Sequence, residues 1–229
     1  MICSCTFVIF PVLFRKSIMN NAPCFGSGYS LIAVLWSVCH NNLLSTINDN
    51  LEAMLTAVFF DAFSSKETAE RSKLSELISF GNGKSRPKTD GTIPVYGGNG
   101  VLSYTDQHNI ENAILIGRVG AYCGSVYLEQ GICWVSDNAI YAKSKISKDE
   151  FFDYFLLKGL NLFNHHVGTG QQLLTQEILN NIEVAEPDIV QVETFNEKAK
   201  SVFETISANR SEIVRLQELS DLLLSRLAG

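Results

Sequence analysis

The strongest constraint on what this chain folds into lies in its last segment. Phe195, Ala199, Val202, Ile206, Asn209, Ile213, Leu216, Ser220, Leu223 and Leu227 follow alternating steps of four and three residues. Eight of these ten positions are apolar, and a pattern held for more than four heptads describes a helix that pairs along its length. From Phe195 to Leu227 such a helix is about 50 Å long at 1.5 Å per residue. One small domain has no use for that length. Asn209 on the seam costs stability and fixes the register of the pairing. A second helix is expected from Asn42 to near Phe63, where Leu44, Ile47, Leu51, Met54 and Val58 recur at three- and four-residue steps between polar Asn48, Asp49, Asn50 and Glu52. Pairing of Ile47, Leu51, Met54 and Val58 with Val202, Ile206, Asn209, Ile213, Leu216, Leu223 and Leu227 makes a coiled-coil spacer.

Between the two helices the sequence changes character. Glycines cluster at Gly81 to Gly83, Gly97 to Gly100, Gly117 to Gly124 and Gly168 to Gly170, each cluster marking a turn. Short strand-like runs separate them at 93–96, 113–116, 125–128, 132–135 and 139–142. Residues 151–163 read as one buried helix, 176–181 as a shorter one, and 182–184 as a last strand. The fold class is therefore α+β, a mixed twisted sheet flanked by two long helices. Its boundaries are 42–72 for the first helix and linker, 73–190 for the sheet domain and 191–229 for the distal helix. At 46% hydrophobic and 18% charged over 229 residues, the chain buries a real core and is not disordered.

Residues 1–41 stay unassigned, as a worn or wrongly started end. The apolar runs 6–14 and 29–38 are each shorter than the roughly 18 residues of a spanning helix. Arg15 and Lys16 follow the first run and Pro11 interrupts it, the reverse of a signal peptide. No membrane association is expected. Six scattered cysteines, at 3, 5, 24, 39, 123 and 133, make no disulfide scaffold and no zinc knuckle, so a reducing, cytoplasmic location is expected. The formal charge of −6 excludes a globally basic nucleic-acid binder. DNA binding then needs a local patch or a partner.

Catalytic signatures fail one by one. Gly81 to Ser85 ends like a phosphate-binding loop, but Ile78 stands where that motif needs glycine. Gly117, Gly120 and Gly124 do not give the dinucleotide fingerprint. No Asn or Asp followed by two prolines and an aromatic occurs, so no amino-methylating pocket is expected. Adjacent His165 and His166 diverge on any regular element and cannot clamp a metal. Asp137-Asn138 reads as a turn former. Neither a metal nor a cofactor is expected.

The runs Pro94 to Gly100, Ala113 to Gly124, Val135 to Ala139, and Gly168 to Gln171 with Leu174 to Ile182, in this order and spacing, resemble the target recognition domain of type I restriction-modification specificity subunits. Ile47 to Met54 looks like that family's central helix, and Phe195 to Leu227 like its distal one. The resemblance covers about residues 42–229. A full member has two recognition domains, whereas this chain resembles the C-terminal half, with one. The resemblance implies a non-catalytic reader of one half of a DNA site, directing methyltransferase subunits and, through the complex, a restriction subunit. A homodimer or a second specificity half would supply the other reading head. The alternative is an assembly-only fragment pairing through its helices with an intact specificity subunit. Double-stranded DNA is the expected ligand. Lys84, Arg86 and Lys88 suit phosphates, as does Arg118 between its glycines. Asn99, Tyr104, Tyr122, Gln171 and Gln172 are candidates for base edges or stacking.

Overall fold

The computed structural model describes residues 27–63, 70–168 and 172–228. In order these form α1 (Ser27–Phe63), β1 (Arg71–Lys73), α2 (Leu74–Leu77), β2 (Ile78–Asn82), β3 (Ile93–Gly97), β4 (Gly100–Thr105), β5 (Ile110–Gly117), β6 (Val126–Val135), β7 (Ala139–Ser144), α3 (Phe151–Gly159), α4 (Gln176–Asn180), β8 (Glu183–Ala185) and α5 (Ile189–Ala228). They fall into two compact units, one combining α1 up to Leu51 with α5 from Thr205, the other running from Glu52 to Glu204. None of the helices is long and apolar enough to cross a membrane, among the described residues.

The larger unit is built on a six-stranded sheet in the order β2-β7-β5-β6-β3-β4, beside a two-stranded β1-β8 pair. All pairings are antiparallel except β3 with β6. Ala113, Ile114, Leu115 and Ile116 of β5 are all fully buried, so both faces of the central strand are covered and its sequence is a continuous apolar run. Ala113 and Leu115 join Cys133, Val135 and Ala139 in one layer, with Tyr96, Tyr127 and Tyr141 packed on it. β6 is one strand where the sequence shows two runs, its pairing with β5 resuming across a register shift at Gln130-Gly131. The run 151–163 also divides. α3 ends at Gly159, Asn161 turns left-handed at φ 46°, and a 3₁₀ turn spans Leu162–His165.

Aromatic rings bind the helix ends of this unit together. Phe59 of α1 lies 5.5 Å from Phe152 and 5.5 Å from Phe195, and Phe63 lies 4.9 Å from Phe152. Phe151 stacks on Phe203 at 5.0 Å. Tyr154 Oη and Lys158 Nζ both donate to Glu52 Oε1 at 2.6 Å. Buried thiols Cys123 and Cys133 are free, and burial pushes Cys133 up to about 12.

In the smaller unit the two helices run antiparallel in a fixed register. Asn209 Nδ2 donates to Asn48 Oδ1 at 2.8 Å, and the Ser37 and Ser220 hydroxyls meet at 2.5 Å. Each residue pair lies eleven positions from the other along both helices, about three turns. The buried face of α1 runs through Ala33, Val34, Ser37 and Asn48, and continues in the other unit at Leu55 and Phe59. This corrects the expected seam: Ile47, Met54 and Val58 are exposed, and Leu51 is half-buried. The reason is that α1 is apolar on nearly every side, with Asp49, Glu52 and Asp61 its three charged residues, so apolar spacing fits two neighbouring stripes equally. The asparagine and serine partners on α5 decide between them. On α5, Phe195, Ala199, Ile206 and Leu216 are buried, and Val202, Asn209, Ile213 and Leu223 are half-buried. α1 also begins at Ser27, well before the expected Asn42. The side chain of Leu227, Gln171, the linker at 64–69 and the cysteines at 3, 5 and 24 lie outside the described residues.

Two measurements test this packing. Asn48→Ala leaves the Asn209 amide without its partner and is expected to cost about 1–3 kcal/mol. The double change Asn48→Leu with Asn209→Leu should recover most of that loss in denaturant unfolding, at the expense of register. The second concerns Asp153, which is 1% exposed and whose two carboxyl oxygens have no hydrogen-bond partner. Its pKa is raised from 3.8 to about 7, chiefly by burial, with the nearby Ser144 hydroxyl opposing and Glu150 adding. The folded state thus holds this proton more tightly than the unfolded chain. Stability falls as pH rises from about 4 to about 7 and the full cost is present above that window. Asp153→Asn should therefore gain on the native protein by roughly 2 kcal/mol more at pH 8 than at pH 5.

Candidate nucleic-acid interface

The glycine clusters far apart in sequence meet in the larger unit through backbone hydrogen bonds. The β3–β4 turn at Gly98-Asn99, the loop after β5 at 118–125, the β6–β7 turn at 136–138, the end of β2 at Gly83-Lys84 and the segment 172–174 form one cluster. Ser136 N–H donates to Tyr96 O at 2.9 Å, Lys84 N–H to Val135 O at 2.9 Å and Gly83 N–H to Ala139 O at 3.1 Å. Arg118 stands at the crossing. Its N–H donates to Asn138 O at 3.0 Å, and its carbonyl accepts from Leu174 N–H at 2.9 Å. Gly120 N–H reaches Gln172 O at 3.0 Å.

This closeness leaves several of these glycines no room for a side chain, Gly117 among them. A Cβ on Gly117 would sit 2.1 Å from Tyr122 O and 2.9 Å from Gly98 O, both backbone atoms. On Gly98 it would meet nothing nearer than 3.6 Å. Gly117→Ala is therefore expected to destabilise the protein by about 1–3 kcal/mol through a forced backbone shift, while Gly98→Ala leaves the unfolding midpoint nearly unchanged.

Five of the sequence-predicted residues are gathered here: Lys84, Asn99, Arg118, Tyr122 and Gln172. Lys84, Asn99 and Tyr122 are exposed, and Arg118 and Gln172 are half-buried. Tyr104 and Lys88 belong elsewhere, at the base of the β3–β4 hairpin. Tyr104 pairs with Pro94 there, and next to Lys88 the Thr89 hydroxyl contacts that of Thr105 at 2.9 Å. Arg86 is exposed on the intervening loop. Asp137 and Asn138, expected as a turn former, form the exposed β6–β7 turn, and nothing in the sequence singles out Trp134, whose indole N–H donates to Lys84 O at 3.4 Å. Only the pairing of β6 with β3 brings these residues to the cluster, and local spacing holds no trace of it.

The cluster presents two cations, several amides, a phenol and one carboxylate, with no activated nucleophile. Among the described residues no group of His, Cys, Asp and Glu could hold a metal ion. His166 Nδ1 is occupied by Phe163 O at 2.5 Å, and His165 is exposed.

Comparison with solved structures finds the same fold in an S subunit of a type I restriction-modification system from M. genitalium. That match has a TM-score of 0.60 and 15% identity, over 88% of this chain and 58% of that one. The HsdS subunit from Thermoanaerobacter tengcongensis matches at TM-score 0.48 and 13% identity, over 87% and 56%. The chain thus spans under three fifths of the length of these proteins. No curated protein matches the sequence. The family model described as type I restriction modification DNA specificity domain matches residues 66–214, which takes in the whole sheet, the loop cluster and the first part of α5, and the chain belongs to that family.

Proposed function

We propose that this chain is the DNA-reading component of a type I restriction-modification system, a non-catalytic half-site reader that directs methyltransferase subunits and, through the complex, a restriction subunit. The observation that carries this reading is the loop cluster around Arg118. Five separated segments deliver cations for phosphates together with exposed amides for base edges, the two kinds of contact that sequence-specific DNA binding combines. Half a bipartite site is the natural target of one reading head, with a second copy or another specificity chain providing the other half.

The partner surface belongs to α1. Its exposed residues Ile32, Leu43 and Ile47 fall on one stripe at helical spacing, beside the buried one. A helix with polar residues inside its pair and apolar ones outside is built to receive further helices. Methyltransferase subunits are the proposed occupant.

Retention of duplex DNA by the purified chain, with and without the methyltransferase subunits of its system, tests the reading. Weak, non-selective retention alone, as the charge of −6 dictates, and selective retention in the complex are expected. A complex that selects no sequence, or a purified chain that cleaves or methylates DNA unaided, overturns it.

A further inference from the structure

We propose that Arg118 is the phosphate anchor of the loop cluster, its guanidinium holding a backbone phosphate of the duplex and carrying none of the sequence discrimination. The inference rests on the cluster being a DNA interface and assigns the division of labour within it.

Three observations carry it. First, the backbone of Arg118 is held on both sides, by Asn138 O and by Leu174 N–H, and the preceding Gly117 is packed against Tyr122 O and Gly98 O. The root of this side chain cannot re-aim. Second, the guanidinium has no ion-pair partner among the described residues. Nε is buried without a hydrogen-bond partner, and among the described residues the ion pairs are Lys143 with Glu150, Lys158 with Glu52 and Lys200 with Asp149. Asp137, the acid of the neighbouring turn, is not within ion-pair distance of it. An arginine held this way without an acid to neutralise it is available to an anion from outside. Third, Arg118 is recessed. It is half-buried, whereas Asn99, Tyr122, Asp137 and Asn138 around it are exposed. Base edges lie at the floor of a groove and are reached by protruding groups, while phosphates form the ridges of the duplex and fit a recess.

The test uses the complex with methyltransferase subunits and two variants, reading affinity for the selected and a scrambled duplex, its salt dependence, and the sequence enriched from a randomised duplex pool. Arg118→Ala should weaken both duplexes about equally, by about tenfold, lower the salt slope by about one and leave the enriched sequence unchanged. Arg118→Lys should keep most of the affinity, because a phosphate accepts a point charge whereas a bidentate guanine contact does not. Unchanged melting transitions of both variants show that the loops remain assembled. A changed enriched sequence, a loss confined to the selected duplex, a lysine variant as weak as alanine, or undiminished affinity of the alanine variant each overturns the anchor while leaving the DNA-reading function standing. A native complex that enriches no sequence overturns both.

Discussion

The geometry of the loop cluster depends on one strand serving two neighbours. β6 pairs antiparallel with β5 from Val126 to Cys133, and its last residues, Trp134 and Val135, pair parallel with Val95 and Tyr96 of β3. At the point of exchange Asn109 stands in for a strand: Val135 N–H donates to its Oδ1 at 2.8 Å and its Nδ2 donates to Val135 O at 3.0 Å. A buried backbone group without a partner costs about 1–3 kcal/mol, so this side chain keeps the ladder satisfied while the sheet changes partner. The exchange sets Ser136 beneath Tyr96 O and places the β6–β7 turn between the β3–β4 turn and the loop after β5. Without it the glycine clusters would end separate hairpins and Arg118 would have no cluster to anchor.

The two units solve different problems with the same resource, buried polar groups. In the helix pair, Asn48 with Asn209 and Ser37 with Ser220 give up hydrophobic contact for a register that slippage by one turn would break. In the larger unit Asn196 does comparable work, its Oδ1 accepting from Phe152 N–H at 2.7 Å and its Nδ2 donating to Ser147 Oγ at 2.8 Å. It thereby closes the otherwise open first turn of α3. Asp153 one residue later has no such satisfaction, and burial favours its neutral form.

What sequence makes legible follows the range of the interaction responsible. The period of α5 is a local property and shows in the order of Phe195, Ala199, Ile206 and Leu216, while glycine clusters mark turns because backbone sterics act within a few residues. The face of α1 is illegible, since Ile47, Met54 and Val58 satisfy the same spacing as the buried stripe and only Asn209 across the pair selects Asn48. β1, β2 and β4 are also hidden, whereas β8 shows in the alternation at 182–184. Ile78 to Asn82 contains Gly81, over which the Tyr141 ring lies, and Gly100 to Thr105 is an edge strand with exposed Val101 and Leu102. Neither shows the alternation that marks a half-buried strand. Within the cluster, Lys84, Asn99, Arg118, Tyr122 and Gln172 are readable by residue type, but Lys88 and Tyr104 are of the same types and lie at the hairpin base. Residue type nominates contacts, and topology chooses among them.

If the chain reads DNA as proposed, it must concentrate its attraction, since each phosphate neutralised by a cation releases counterions and the summed field of an acidic protein opposes approach. Net charge of −6 therefore makes non-specific capture weak, and a few fixed cations carry a larger share of the binding than in a basic protein. Rigidity then substitutes for number. A guanidinium without an ion pair among the described residues, on a backbone fixed at both sides, would lose less freedom on meeting a phosphate than a lysine at a loop tip. On the proposed function, the same economy favours dependence on partner subunits: a reader whose own field does not hold non-specific DNA spends little time on wrong sequence, and would commit only where a second head and methyltransferase subunits add their contacts to its own.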